Sequence, residues 1–497
     1  MIFNTLDFLL FLPVVVLLHY LLPHKYRNLL LLAASYFFYA SYNLGLTLFL
    51  IICTAVTYGL GLAIGRNEDD KAAKRLMTIG VVLNVGTLGV YKYFNFVSES
   101  LASISGGEAF KLNWLVPLGI SFIIFQTVSY LVDVYRKKIS AEKNLLKFAL
   151  YVAFFPKVVQ GPIERAGDIL PQFDKIRYFE HKRFSEGMLM VIYGLFMKMV
   201  VADNAAVIVN SVYGNLSSYS GAAILVATLM FALQIYCDFA GYSYTAIGAA
   251  RLLGFDFKEN FRQPYLSVSV SEFWRRWHIS LNTWLRDYVY IPLGGNRCSK
   301  VRKNFNTLTT FAISGLWHGA NWGYIIWGVI NGVYIIIESA IMDLLKKQKK
   351  ADEKEQNPAR AAAGQVLHRF LTFCAVVFAW IFFRARYLAD SLTAISRIFT
   401  KFDWKGFSDY ITETMNAGDK AVFLGLNVSY SLTALCISMI VVLIVDLLSQ
   451  KMNLPERLAE GTRWIRWPVY LILLFAIILF GVYGYGYDAG SFIYAAF

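Results

Sequence analysis

Long apolar runs alternate along this chain with short loops that are basic or polar. A bilayer core about 30 Å thick needs about 20 predominantly apolar residues to be crossed by one helix. By this measure we predict 12 candidate membrane-spanning segments, at 2–22, 28–43, 44–65, 76–96, 113–135, 185–203, 221–250, 305–320, 321–345, 366–386, 426–449 and 467–485. The pattern therefore predicts an all-α polytopic membrane protein.

The loops between these segments differ in charge. Lys and Arg are in excess at 136–147, 296–304, 346–360 and 450–466, whereas 97–112, 214–220 and 401–420 are neutral or net acidic. Basic loops remain on the cytoplasmic side of membrane proteins. Counting spans from an N-terminus outside the cell places every one of these loops on the expected side.

Three stretches need a separate interpretation, and two of them do not fit a plain span. The first apolar run, 2–22, has no basic segment before it and no small-residue cleavage site after it, so we expect a first transmembrane helix rather than a signal peptide. Residues 145–170 contain Pro156 and Pro162 and predict a re-entrant element buried in protein. Residues 264–295 mix Trp, Arg and apolar residues and resemble neither a span nor a soluble loop.

Composition agrees with a membrane protein. Of 497 residues, 57% are hydrophobic and only 16% charged, with a mean hydropathy of +0.50, against about 25% charged residues in soluble domains. The net charge of +14 is then explained by cytoplasmic loops, so we expect no binding of nucleic acid.

We treat 1–497 as one domain, with N-terminal helices at 1–135, a core at 136–345, a solvated cytoplasmic connector at 346–365 and C-terminal helices at 366–497.

The five cysteines lack the spacing of a metal or redox site. We expect Cys53, Cys237, Cys374 and Cys436, which lie in apolar runs, to be small core residues. No P-loop and no metal-binding set of His or Cys occurs in the sequence, and we predict no metal.

Six histidines are present, and His318 is the most unusual of them. The last basic residue before it is Lys303, so at about 1.5 Å per helical residue it lies at most about 22 Å from the cytoplasmic face. Glycines recur at every fourth position around it, at Gly315, Gly319 and Gly323. Ionisable groups at such depth usually line a pathway or a site. His318 is either a packed core group between closely spaced helices or a general base in a tunnel.

His278 lies in the Trp- and Arg-rich segment 272–287. On a continuous helix, Trp274, His278 and Asn282 would share one face. One interpretation is an interfacial amphipathic helix with Trp at the headgroup level. The alternative is that the basic side chains bind an anionic cytosolic donor, and these side chains are Arg275, Arg276 and Arg286.

Asp238 lies well inside a long apolar run, in the segment 234–243. A carboxylate in such a place needs a partner or a function. The sequence leaves structural pairing and support of an active site equally open.

Three stretches together resemble the membrane-bound O-acyltransferase family, and most closely its bacterial branch of alginate O-acetylation proteins: 263–287, 290–297 and 315–322. Further matches occur at 1–4, 155–163 and 234–241, so the resemblance covers nearly the whole chain. The combination of Trp317-His318-Gly319 with the upstream Trp274 to His278 motif is highly specific.

The resemblance implies a ring of about 11–13 transmembrane helices around a central tunnel, with re-entrant and interfacial helices. His318 matches the essential histidine of the family, and His278 matches a second histidine toward the cytoplasmic entrance. We expect both to be catalytic. The candidate substrate-binding residues are Trp274, Arg275, Trp277, Asn282, Trp317, Asn321, Asp238, Tyr242 and Gln160.

The implied activity is an O-acetyltransferase of a bacterial inner (cytoplasmic) membrane. Acetyl-CoA, a cytosolic thioester, is the expected donor substrate, and no permanently bound cofactor is expected. The expected partners are an extracytoplasmic acetyltransferase protein, an exported polysaccharide and the lipid bilayer. Whether a covalent acyl-enzyme forms is left open.

The sequence departs from the family pattern in two places. Trp327-Gly328 is followed by Asn331-Gly332, where relatives often have a histidine, and Ser243 is followed by Tyr244, where relatives commonly have an acid. Two other functions are open. One is D-alanyl transfer from a carrier protein toward teichoic acid, and the other, which is not enzymatic, is that of a transporter. A transporter would predict related halves, which the sequence does not show.

Overall fold

The computed structural model describes residues 1–117, 119–349, 358–409, 422–423, 426–427 and 429–482, with side chains undescribed at 346–349, 358–361, 422–423, 426–427 and 429–431. Almost all of the regular secondary structure in these residues is helical. The α-helices are Leu6–Leu21, His24–Ala40, Leu44–Arg66, Asp70–Leu88, Phe94–Ser105, Ile120–Tyr135, Leu145–Ala153, Phe155–Val158, Ala166–Ile169, His181–Phe196, Asp203–Gly214, Gly221–Leu252, Val270–Arg276, Ile279–Leu285, Lys300–His318, Trp322–Lys349, Pro358–Arg384, Leu388–Thr400, Ser429–Ser449, Leu454–Glu460 and Arg463–Phe480.

Short irregular helices join several of these elements. Turns of π-helix occur at Gly89–Tyr93, Met197–Ala202 and Arg286–Tyr290, and turns of 3₁₀-helix at Leu170–Asp174, Leu216–Ser218 and Pro264–Leu266. The strands Val422–Phe423 and Leu426–Asn427 form one small antiparallel pair, in which Val422 is opposite Asn427.

Eight helices in the described part of the chain are long and apolar enough to cross a membrane. They are Leu44–Arg66, Asp70–Ser105, His181–Gly214, Gly221–Leu252, Trp322–Leu345, Ala362–Arg384, Leu432–Ser449 and Arg463–Phe480. Each of the 12 predicted segments overlaps a helix, and many outward-facing side chains of these helices are large and apolar, as lipid contact requires. The prediction of an all-α polytopic membrane protein is confirmed.

The core of the molecule lies where helix His181–Phe196 packs against helix Gly221–Leu252. Glycines allow this approach: a Cβ added at Gly241 would lie 2.6 Å from the carbonyl oxygen of Gly194, and one at Gly248 would lie 2.6 Å from that of Gly187. A real side chain does not fit at these distances. The backbones can therefore approach closely only because these positions carry no side chain.

The proline-containing segment forms short helices rather than a span. Every residue from Phe148 to Glu164 is buried. The helical conformation is interrupted at Phe154, between helix Leu145–Ala153 and helix Phe155–Val158. The prediction that this segment is buried in protein is confirmed. The first helix, Leu6–Leu21, also packs into the core, with Phe8 fully buried.

The expectation that the cysteines of the apolar runs are core residues is wrong for two of them. Cys374 and Cys436 are exposed on helix surfaces rather than packed in the core, and only Cys237 is fully buried. A lipid-facing helix surface is as apolar as a core, so the sequence pattern cannot separate the two. Residues 350–357 of the predicted connector 346–365 lie outside the described residues, and the flanks of the connector continue the neighbouring helices.

Candidate active site

His318 is the last residue of helix Lys300–His318. The predicted span continued to 320, but the chain instead turns and begins the next helix at Trp322. Asn321 holds this turn: its Oδ1 accepts from the backbone N–H of Gly323 at 2.8 Å, and its Nδ2 donates to the carbonyl of Arg386 at 2.6 Å. The catalytic candidate therefore lies at a fixed helix end, and Asn321 acts on backbone groups there.

The predicted glycine repeat does not run along one helix, because the helix ends between its members. Gly315 nevertheless allows close packing, since a Cβ at this position would collide with the carbonyl oxygen of Tyr324 on the following helix. Gly328 on that helix faces the carbonyl oxygen of Phe311 in the same way. The close packing by small residues that one interpretation of this motif predicts is therefore observed. The role of His318 as a general base stays a prediction.

Aromatic rings surround the His318 side chain, which is 2% exposed. Its ring centroid lies 4.8 Å from that of Trp317, 5.1 Å from that of Trp327 and 5.2 Å from that of Phe383. Such a shell excludes water and holds the imidazole in one orientation. A buried imidazole can take a proton from a bound hydroxyl without competition from solvent.

His278 lies at a break between two short helices, Val270–Arg276 and Ile279–Leu285. Its φ is 43°, in the left-handed region, which cannot continue a right-handed helix. Asn282 stabilises the break by donating to the carbonyls of Trp274 at 2.6 Å and Trp277 at 2.5 Å. The predicted continuous helix with Trp274, His278 and Asn282 on one face is therefore wrong.

Asn260 holds the His278 ring. Its amide Oδ1 lies 3.0 Å from His278 Nδ1 and also accepts from Ser280 Oγ at 2.9 Å. Because an amide oxygen only accepts, His278 Nδ1 is the donor. The Nδ2 of Asn260 in turn donates to Ser243 Oγ at 3.1 Å.

Trp317 brings the two histidines into one site. Its ring centroid lies 5.8 Å from that of His278 and 4.8 Å from that of His318. Phe125 stacks on Trp317 at 5.5 Å, and Phe122 contacts both Trp317 and His278. Residues about 40 positions apart in sequence therefore share one buried aromatic cluster.

The tryptophans of the upstream motif are buried in protein and do not form an interfacial belt. Trp274, Trp277 and Trp284 are 6%, 1% and 6% exposed. Trp277 packs against Trp380 at 5.2 Å. The interpretation of this segment as an interfacial amphipathic helix is wrong, because tertiary contacts cover the apolar stripe.

The neighbouring arginines remain nearer the surface. Arg275 is exposed. Arg276 forms an ion pair with Glu272 at 2.6 Å, and Arg286 pairs with Asp287 at 2.9 Å. Two of the three predicted donor-binding cations therefore already have acidic partners.

Asp238 has a structural partner. Lys198 Nζ lies 2.8 Å from Asp238 Oδ1 and 2.7 Å from Asp203 Oδ1, and all three side chains are buried. Of the two alternatives for Asp238, pairing is the one observed.

Tyr242 stacks on Phe3 at 4.3 Å, and Gln160 is buried with no hydrogen-bond partner for its Oε1 among the described residues.

The departure from the family pattern at Asn331 has a structural explanation. Asn331 Oδ1 accepts from Trp274 Nε1 at 3.1 Å, and its Nδ2 donates to the carbonyl of Trp327 at 2.8 Å. Asn331 thereby holds the Trp274 side chain against the backbone of Trp327. The ring of Trp327 in turn contacts His318.

Sequence reasoning missed two residues beside this site. Asn260 carries no local signal, because a turn and not a motif brings it to His278. Lys92 donates to the backbone carbonyl of Trp317. The sequence does contain a sign of its importance, because Lys92 is the one lysine inside the predicted apolar span 76–96. Across the described ranges, no three His, Cys, Asp or Glu side chains lie together as a metal site would require.

Comparison with known proteins adds independent evidence. The model of the membrane-bound O-acyltransferase family matches residues 31–382. A protein of Azotobacter vinelandii named "Probable alginate O-acetylase AlgI" is 41% identical over 81% of this chain and 79% of the relative. A "Peptidoglycan O-acetyltransferase" of Helicobacter pylori is 31% identical over 80% of this chain and 79% of the relative.

A more distant similarity links the chain to another activity. A "Teichoic acid D-alanyltransferase" of Streptococcus thermophilus is 28% identical over 54% of this chain and 68% of the relative. The family match spans both candidate histidines and most of the membrane helices. This chain belongs to the membrane-bound O-acyltransferase family and is a multi-pass membrane O-acyltransferase.

Proposed function

We propose that this protein transfers acetyl groups across a bacterial inner membrane for the O-acetylation of an exported polysaccharide. The donor is cytosolic acetyl-CoA. The acceptor is a hydroxyl presented outside, on a partner protein that passes the acetyl group to the polysaccharide. The N-terminus faces the outside, as the distribution of Lys and Arg indicates.

One observation carries the proposal: two histidines far apart in sequence meet in a single buried aromatic cluster, linked by the Trp317 ring. Such a site keeps water from a thioester while offering a base to a hydroxyl.

The chemistry can be written with His318 as base. The imidazole takes the proton of the acceptor hydroxyl, and the oxygen forms a bond to the thioester carbonyl carbon. The tetrahedral intermediate then releases the thiolate, which receives the proton from the imidazolium. The products are an acetyl ester and a free thiol, so the base is regenerated in each cycle.

A cavity supports entry of an anionic donor. It has a volume of about 650 Å³, and Asn260 and Ser243 form part of its wall. Its lining is mostly apolar and includes three cationic side chains, Arg251, Arg262 and Lys451. Arg262 pairs with Glu259 of the same lining at 2.7 Å, and Arg251 pairs with Glu186 at 2.8 Å, which leaves Lys451 as the cation of this lining without an ion pair among the described residues. Lys451 belongs to a loop that the charge pattern places in the cytoplasm. A phosphate-bearing thioester fits this combination of charge and apolar surface.

The named relatives favour acetyl over D-alanyl transfer. The two O-acetylating relatives match about four fifths of the chain at 41% and 31% identity, whereas the D-alanylating relative matches 54% of it at 28%. We therefore propose that the transferred group is acetyl. Transfer of D-alanine is an outcome that the test can detect.

The test replaces His318→Ala in the full chain and uses His368→Ala, an exposed histidine, as the matched control. In cells lacking the native protein, we expect H318A to reduce the ester content of the exported polysaccharide at least about a hundredfold, because general-base catalysis contributes on that scale. H368A should restore the wild-type content. Polysaccharide NMR identifies the ester.

A second measurement defines the donor. Inside-out membrane vesicles receive acetyl-CoA labelled in the acetyl group, and thiol release is followed with time. The wild type and H368A should consume the donor and H318A should not. Equal consumption by H318A and wild type, or D-alanyl esters in place of acetyl esters, would overturn the proposal.

A further inference from the structure

Lys92 is a cation inside a membrane-spanning helix with no ion-pair partner among the described residues. It lies in the π-helical turn Gly89–Tyr93, within the continuous helical segment Asp70–Ser105, and its side chain is half-buried. Charged groups in such segments are costly and usually functional. Turns of π-helix are also frequent at functional sites.

The side chain of Lys92 reaches across to the helix that ends at His318. Its Nζ donates to the backbone carbonyl of Trp317 and lies 3.5 Å from Ser121 Oγ. The same Nζ lies 5.6 Å from the centroid of the Trp317 ring. Lys92 thus joins three helices at the residue directly before His318.

The contact has a clear physical basis. The last carbonyls of an α-helix have no partner within the helix, and the helix dipole makes this end negative. Helix Lys300–His318 ends inside the protein, where no bulk water is available to satisfy its carbonyls. An ammonium group placed there satisfies the Trp317 carbonyl and is stabilised by the dipole.

We propose that Lys92 is a positioning residue for His318 in the transfer reaction. By holding the Trp317 carbonyl it fixes the last helical turn and thereby the direction of the His318 ring. This inference rests on the proposed function.

The test compares three substitutions at one position in the full chain: K92M removes charge and hydrogen bond, K92Q keeps a donor amide without charge, and K92R keeps both. The matched control is K111M, which removes an exposed lysine that pairs with Glu99. Vesicles are supplied with acetyl-CoA over a range of concentrations. Thermal unfolding of each purified variant is measured in parallel.

We expect K92M to lower kcat at least about tenfold while the KM for acetyl-CoA changes less than about twofold. K92R should recover at least about a third of the wild-type kcat, and K92Q less than K92R. K111M should equal the wild type. A merely structural lysine would lower the amount of folded protein and leave the kcat of the remaining protein unchanged.

Two results would overturn the inference: a wild-type kcat for K92M, or equal kcat values for K92R and K92Q. If K92M does not accumulate as folded protein, the comparison of K92R with K92Q decides alone. Polysaccharide ester content in cells provides a readout independent of donor identity. If the wild type releases no thiol from acetyl-CoA but still esterifies the polysaccharide, acetyl-CoA is not the donor. The ester contents of the Lys92 variants in cells then still decide the role of Lys92.

Discussion

At the scale of residues, the site depends on polar side chains that hold backbone and ring positions. Asn260 accepts from His278 and from Ser280, Asn282 binds two carbonyls at the break, and Asn331 binds Trp274. None of these amides needs to contact the substrate to matter. Each restrains His278 itself, the backbone break beside it, or a ring that packs against Trp327, the neighbour of His318.

Replacement of Asn260 tests this support. We expect N260A to lower transfer activity about tenfold, because loss of the buried acceptor for His278 Nδ1 costs about 1–3 kcal/mol and frees the ring to turn. N260D, which keeps an accepting oxygen, should retain more activity than N260A. The measurement is thiol release from acetyl-CoA in vesicles.

The control for this pair is N67A, which changes an exposed asparagine between two helices. It should behave as the wild type. Activity of N260A within a factor of two of wild type would show that His278 does not depend on its asparagine. The fixed orientation of the His278 ring, on which its proposed catalytic role depends, would then need another explanation.

At the scale of elements, close helix packing decides where the site residues lie. Helix Gly221–Leu252 contacts helix His181–Phe196 through facing glycines, with an added Cβ at Gly241 only 2.6 Å from Gly194 O. The same helix carries Asp238, which is paired with Lys198 at 2.8 Å. Small residues and a buried ion pair together fix this helix against the core.

We expect G241A to destabilise the protein by about 1–3 kcal/mol, because a methyl group there collides with backbone and cannot be accommodated by rotation of a side chain. G86A places the same methyl group on a helix surface where nothing lies within 4 Å. That variant should be as stable as the wild type or slightly more so.

Thermal unfolding in detergent, followed by size-exclusion chromatography, measures both variants. A shared loss of stability would point to the detergent rather than to helix packing. An unchanged melting temperature for G241A would contradict the close approach of the two helices. Activity of the folded fraction should stay near wild type in both, since neither residue lies in the aromatic cluster.

At the scale of the whole molecule, the prediction concerns which loops face which compartment. Cys298 is exposed and lies in the basic segment 296–304, predicted to be cytoplasmic. Glu108 is exposed in the segment 97–112, predicted to be outside. A membrane-impermeant maleimide should therefore label Cys298 in inside-out vesicles only, and E108C in intact spheroplasts.

The other exposed cysteines supply an internal control. Cys374 and Cys436 lie on membrane-spanning helices, where a charged reagent cannot reach a thiolate, so C298S should abolish labelling of the native chain in both preparations. Labelling of Cys298 from outside would reverse the proposed orientation. It would also place the proposed donor on the opposite side of the membrane.

The sequence alone determined the properties that depend on local composition. Apolar runs of about 20 residues can only be stable across a bilayer as helices, because lipid offers no hydrogen bonds to the backbone. In the described part of the chain, eight of the 12 predicted segments correspond to helices that are long and apolar enough to span, and the other four overlap helices that do not meet this measure. His318 was identifiable because an ionisable residue stands out in such a run. The family motifs around it were equally local.

The tertiary structure alone decided how these parts meet. Long-range packing turned the Trp-rich segment inward, ended the helix at His318, and brought Asn260 to His278 and Lys92 to Trp317. These contacts join residues separated by 18 to 225 positions. Their free energy comes from burial and from satisfying polar groups inside the protein. A sequence pattern records which side chains need such partners, and only the folded chain decides which partners they find.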